Sequence, residues 1–175
     1  MNTTTEIITI LFPCISVVLV AYWFINRPLK MEKFRLQNEF DKHNAKIVMP
    51  IKLNAYERLV LFLERTSPDE ILNREMLPEM SAFELQMRLL KVVREEFEHN
   101  VSQQIYVSAI CWHAVINARN SINQLINIAA TQVSPNDRAI NLAQIIIQAY
   151  NADTETATKN AIDLLKNEIG KLIEN

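Results

Sequence analysis

Glu96 and His99 stand three residues apart in REEFEHNVSQQIYVS, residues 94–108. On a helix that spacing places a carboxylate and an imidazole on one face, which is half of a di-metal carboxylate site. Such bundles need a second Glu-x-x-His and further carboxylates from other helices, all facing inward. The other histidines, His43 and His113, have no glutamate three residues before them, so the second half is missing. A metal-dependent enzyme built on Glu96 and His99 therefore stands as an alternative reading. The preferred expectation is no metal and no cofactor, with Arg94, Glu95, Glu98 and His99 forming a charged helical face open to a partner. Arg88, Lys91 and Arg94 interleave with these acids at spacings that allow i, i+4 pairing. Asn100 to Ser102 reads as a bend, and Ile105 and Tyr106 as the return to the core. The sequence Asn100-Val-Ser102 matches a glycosylation acceptor but falls on the side expected to be cytoplasmic.

The other nucleophile candidate is Cys111 with His113. At i, i+2 their side chains leave a helix on different faces, so local spacing does not pair them. Cys14 and Cys111 form neither a metal pattern nor a disulfide framework. The chain has one glycine in 175 residues, Gly170. Phosphate-cradling loops, dinucleotide fingerprints and nucleophile elbows depend on glycine, so those enzyme classes are excluded. Formal charge is −2, without the basic excess of a nucleic-acid binder. No catalytic residue is assigned, and a non-enzymatic protein is expected.

The elements that must carry these residues are helical. Residues 7–25 read IITILFPCISVVLVAYWFI, opened by Ile7 and closed by Ile25, and hold no charge. As a helix the run spans about 28 Å, close to the bilayer hydrocarbon thickness. Tyr22 and Trp23 lie near one end, where aromatic rings favour the headgroups. No Lys or Arg precedes the run, no small-x-small site closes it, and Arg27, Lys30, Lys33 and Arg35 follow it. That asymmetry predicts an uncleaved single-pass anchor in the cytoplasmic membrane, N-terminus outside and C-terminal domain cytoplasmic. The expected organisation is an anchor over 1–26, a charged helical stalk over 27–50 and a cytoplasmic helical bundle over 51–175. The stalk's Arg27, Lys30, Lys33, Arg35, Lys42 and Lys46 also allow recruitment of a nucleoprotein machine such as a ribosome. Glu32, Glu39 and Asp41 among them dilute that attraction.

Helix starts recur along the bundle. Pro50 is expected to break the stalk helix. Asn54, Ser67 and Ser81, each with a glutamate three residues on, read as capping boxes. Ser134 with Pro135 predicts a start, and Asp153 with Glu155 a further one. Tyr56, Leu59, Val60 and Leu63 hold helical spacing. So do Phe83, Met87, Leu90, Phe97 and Val101, then Trp112, Val115, Ile122, Leu125 and Ala129. Ala139, Leu142, Ala143 and Ile146 follow, and Ile162, Leu165, Ile169 and Leu172 close the series. An all-α bundle of about five helices results, with the Leu59–Leu63 run expected at its centre. Asn and Gln between Asn117 and Gln148 suit inter-helix hydrogen bonds or protein contacts.

The stretches AYERLVLFLERTSP (55–68) and LLKVVREEFEHNVSQQIYVS (89–108), followed by Trp112, resemble an uncharacterised family of small single-span membrane proteins of Gram-negative bacteria. The resemblance covers residues 7 to about 130. It implies an anchor, a charged stalk and a helical cytoplasmic domain, and it assigns no catalytic residue or cofactor. The expected role is a membrane-anchored adaptor or accessory subunit. Its partners would be the lipid bilayer and proteins at the membrane, a second copy included.

Overall fold

The computed structural model describes the backbone of residues 3–152 and 156–174. It describes the side chains of residues 11–13, 15–24, 39, 43, 46–152 and 156–173. The described chain is all-α. Its helices are α1 (Thr3–Arg65), α2 (Pro68–Glu75), α3 (Ala82–Asn100), a 3₁₀ turn (Val101–Ile105), α4 (Ala109–Ala130), α5 (Ala139–Ala152) and α6 (Ala157–Glu174). Contacts divide it into two compact units, residues 1–49 and 50–175.

In the first unit the described large apolar side chains between Leu11 and Phe24 are each at least half exposed. Among the described residues no helix is long and apolar enough to cross a membrane. Side chains 7–10, 14 and 25 of the apolar run, Ile7, Cys14 and Ile25 included, lie outside them. The flanking Arg27, Lys30, Lys33, Arg35 and Lys42 side chains do as well.

The expected break at Pro50 is absent, and Asn54 caps nothing, because α1 runs unbroken through both. A proline costs a helix one backbone N–H and some crowding, which bends a helix without necessarily ending it. Pro28 likewise lies inside α1.

The second unit has two apolar centres that share α4. The N-terminal half of α4 packs Cys111, Val115 and Ala118 against Tyr56, Leu59, Phe62 and Leu63 of α1 and Ala161, Ile162 and Leu165 of α6. Its C-terminal half packs Ile122, Ile126 and Ala129 against Ile71 and Leu72 of α2, Leu85, Leu89 and Val93 of α3 and Leu142, Ala143 and Ile146 of α5. The central helix is therefore α4 and not the Leu59–Leu63 run, in which Leu61 is half exposed. A ring stack ties α1, α3 and α4 together. Phe97 meets Phe62 edge-on at 5.8 Å and stacks on Trp112 at 5.5 Å, and the Arg119 guanidinium covers Phe97 at 4.2 Å.

Residue spacing misplaces the buried face of α3. Phe83, Met87 and Val101 are exposed, while Leu85, Leu89 and Val93 are fully buried. Both stripes are apolar at helical period, and periodicity cannot choose between them. The choice falls to the neighbours, because α2, α4 and α5 all contribute to the side that Leu89 faces.

The helix starts follow local chemistry in part. Ser81 forms a complete capping box, donating its N–H to Glu84 Oε2 at 2.9 Å while its Oγ accepts from Glu84 N at 3.2 Å. Those contacts, the Ser81 backbone first, hold the Glu84 carboxyl below its usual range. Ser67 precedes α2 without a side-chain cap; Pro68 at the first position has no N–H to satisfy. Ser134 and Pro135 do not open a helix. They form a turn in which Asp137 Oδ2 accepts from Ser134 N at 2.9 Å, and α5 begins at Ala139. That turn is used to join two helix starts: Ala82 N donates to Asp137 O at 2.7 Å and Ala139 N to Met80 O at 2.9 Å. The predicted start at Asp153 and Glu155 lies outside the described residues. Thr156 Oγ1 accepts from Lys159 N at 3.3 Å at the head of α6. No described residue has positive φ, so these turns are built without glycine's special conformations.

Candidate functional site

Arg94, Glu95, Glu98 and His99 are all exposed on α3, and they border two different clefts. Glu95 and His99 line a cleft of about 530 Å³ with Arg65, Arg74, Glu75, Arg88, Lys91 and Glu96. Arg94 and Glu98 line a separate cleft of about 430 Å³, shared with Arg119, Asn123 and Asn127 of α4. At about 100° per residue the four fall within an arc of about 140°, with Arg94 and Glu98 towards one side of it and Glu95 and His99 towards the other.

In the first cleft the charges are engaged by one another. Glu96 pairs with Arg65 at 3.0 Å. Glu75 bridges Arg74 and Arg88, each at 2.9 Å. Burial would raise the Glu75 carboxyl, and the two guanidiniums outweigh it and hold it below its usual range. Lys91 and Glu95 form an i, i+4 pair at 3.7 Å. Glu96 and His99 share the cleft, yet among the described residues no group of three His, Cys, Asp or Glu side chains is placed to hold a metal ion. The Glu96 carboxylate serves an arginine from α1 instead.

The bend is where residues 100–102 predict it, and its form is a 3₁₀ turn. Asn100 is buried, donates Nδ2 to Glu96 O at 2.8 Å and accepts from Arg58 Nε at 3.2 Å. Arg58 also donates to the His99 carbonyl at 3.1 Å. Arg58 is thus the clamp on this joint. The expected return to the core is not found at Ile105, which is 73% exposed. Tyr106 and Val107 are half-buried, Val107 packs against the centre formed by α1, α4 and α6, and full burial comes at Cys111.

At the second cleft Asn127 Oδ1 accepts from Gln86 Nε2 at 3.0 Å, an inter-helix amide contact of the expected kind. Asn123 Oδ1 is buried and has no hydrogen-bond partner among the described residues.

The most connected polar group is one that residue spacing did not single out. Glu168 of α6 reaches the N-terminus of α4. It accepts from Ser108 N at 2.9 Å and Cys111 Sγ at 3.0 Å, and from the Ser108 and Tyr56 hydroxyls. Ser108 Oγ in turn accepts from Cys111 N at 3.2 Å and so caps α4. A helix N-terminus favours an anion. Burial would raise the Glu168 carboxyl, but the hydrogen bonds from Cys111, Ser108 and Tyr56 bring it down to about 2. Burial and then the bond to Glu168 push the Cys111 thiol up to about 11. The same two causes raise Tyr56. At neutral pH the thiol is protonated and a poor nucleophile, and the carboxylate is ionised and saturated with donors. The cluster fastens α1 and α6 to the start of α4. His113 lies exposed on α4, apart from Cys111. One sequence signal pointed here: Glu168 falls three residues after Leu165 and four before Leu172, on the apolar stripe of α6.

No curated protein and no solved structure matches the chain. A family model does match, over residues 2–172. The chain thus belongs to a family of unknown function, DUF7935.

Proposed function

We propose that this protein is a membrane-anchored adaptor or accessory subunit without catalytic activity of its own. Residues 7–25 would hold it in the cytoplasmic membrane, and the helical unit of residues 50–175 would dock a protein partner on the cytoplasmic side. The observation that carries the reading is the surface of the Leu11–Phe24 stretch. Val17, Val18, Leu19 and Val20 complete a full helical turn, and each is more than 60% exposed. A helix that is apolar in every direction needs apolar surroundings on every side. Uncharged residues over the whole run and four cations just after it supply span and orientation. The non-catalytic reading draws on the Glu168, Glu75 and Glu96 carboxylates, each engaged by structural partners.

Extraction of native membranes with alkaline carbonate, followed by affinity purification in mild detergent, tests the reading. The chain should stay with the carbonate-washed membranes and bring down a stoichiometric protein partner. Release by carbonate, or recovery as a lone monomer across several detergents, would refute it.

A further inference from the structure

We infer that the groove between α1 and α6 is the interface through which two copies of this chain pair about a twofold axis. The inference rests on the adaptor reading and names its first partner as a second copy. The groove is about 410 Å³ and lies wholly within the second unit. Leu53, Val60 and Leu61 form its α1 wall and Ile169 belongs to its α6 wall. Leu53 and Leu61 are 47% and 50% exposed, although they belong to the same helix as fully buried Leu59 and Leu63. The α1 segment therefore carries a second apolar side that the described residues leave about half exposed. Contiguous exposed apolar surface of this kind marks an interaction site.

The charges at the groove say which occupant fits. Glu57 stands on the α1 wall and Lys166 on the α6 wall. Among the described residues neither belongs to an ion pair. A twofold interface presents the same patch from both sides, so residue i of one copy meets residue j of the other and the reverse. Two such grooves face to face set each Glu57 against the other copy's Lys166, with the leucines between them. A surface with one acid and one base on opposite walls of an apolar strip is complementary to itself. An anchor common to every copy confines them to one membrane in one orientation, which raises their effective concentration.

The test uses the full chain in mild detergent, its mass followed by sedimentation velocity across a dilution series. Wild type should be a dimer. Leu61→Glu buries two charges in the apolar strip and should weaken dimerisation about a hundredfold or more, with far-ultraviolet circular dichroism unchanged. Glu57→Lys should weaken it about threefold to tenfold, and adding Lys166→Glu should restore it. The charge exchange keeps the inference open to refutation even if Leu61→Glu fails to fold. A monomeric wild type overturns it, as does a dimer indifferent to Leu61→Glu and to both charge reversals. A monomer that still brings down a different stoichiometric protein from native membranes also overturns it, while leaving the adaptor reading in place.

Discussion

Replacing Glu168 by glutamine should destabilise the helical unit by about 2–3 kcal/mol at neutral pH, and the loss should vanish in acid. A carboxyl that falls from 4.5 to about 2 on folding contributes roughly 3 kcal/mol, at about 1.4 kcal/mol per tenfold change in proton affinity. Partial access to water at Glu168 trims that towards the lower end. Counting bonds gives a similar scale: four donors meet one ionised carboxylate, and hydrogen bonds to charged groups each contribute about 1.5–3 kcal/mol without adding fully. Glutamine keeps the shape and one acceptor oxygen, but its amide N–H₂ faces donors and can accept nothing. The sign follows from the depressed carboxyl. Its stabilising effect is complete above about pH 4.5 and is lost as pH falls towards 2. Thermal unfolding of the full chain in detergent, read by near-ultraviolet circular dichroism, should show Glu168→Gln melting about 6–12 °C below wild type at pH 7. The two should converge near pH 2. A pH 7 difference under 2 °C, or one that persists unchanged at pH 2, would refute the clamp.

Other consequences are open to direct measurement. Ser81→Ala removes the side-chain half of the α3 capping box, the Oγ that accepts from Glu84 N, and should cost about 1 kcal/mol in a denaturant titration; an unchanged midpoint would count against it. Cys111, with its thiol near 11, should react with a disulfide reagent at pH 7.5 at least a hundredfold more slowly than a free thiol in a Cys14→Ser background. Unfolding in urea should abolish that protection. Arg58→Ala frees Asn100 and the His99 carbonyl, so amide hydrogens of the Val101–Ile105 turn should exchange faster while those of α5 stay as they were. Equal exchange across the turn in both proteins would remove Arg58 from its assigned role.

The all-α class, the apolar run at residues 7–25 and the buried positions of α5 and α6 follow from the sequence by itself. Composition with a single glycine leaves helix as the favoured regular structure, and each of these helices carries one apolar stripe, so period alone identifies its buried side. Ser81 is legible for the same reason: a capping box is satisfied by residues three apart and needs nothing else. Tertiary structure decided the rest. α3 offers Phe83 and Met87 on one side and Leu85 and Leu89 on the other, and only the presence of α2, α4 and α5 selects the second. Pro50 marks a possible break, yet a missing N–H bends a helix without necessarily ending it, and α1 runs on into the packed Tyr56–Leu63 segment. The polar clusters are the least local of all. Arg58 reaches Asn100 across 42 residues and Glu168 reaches Tyr56 across 112. A glutamate on an apolar stripe shows in sequence only as an exception to a pattern. Its four donors, and with them its charge state, exist only once α1, α4 and α6 have packed.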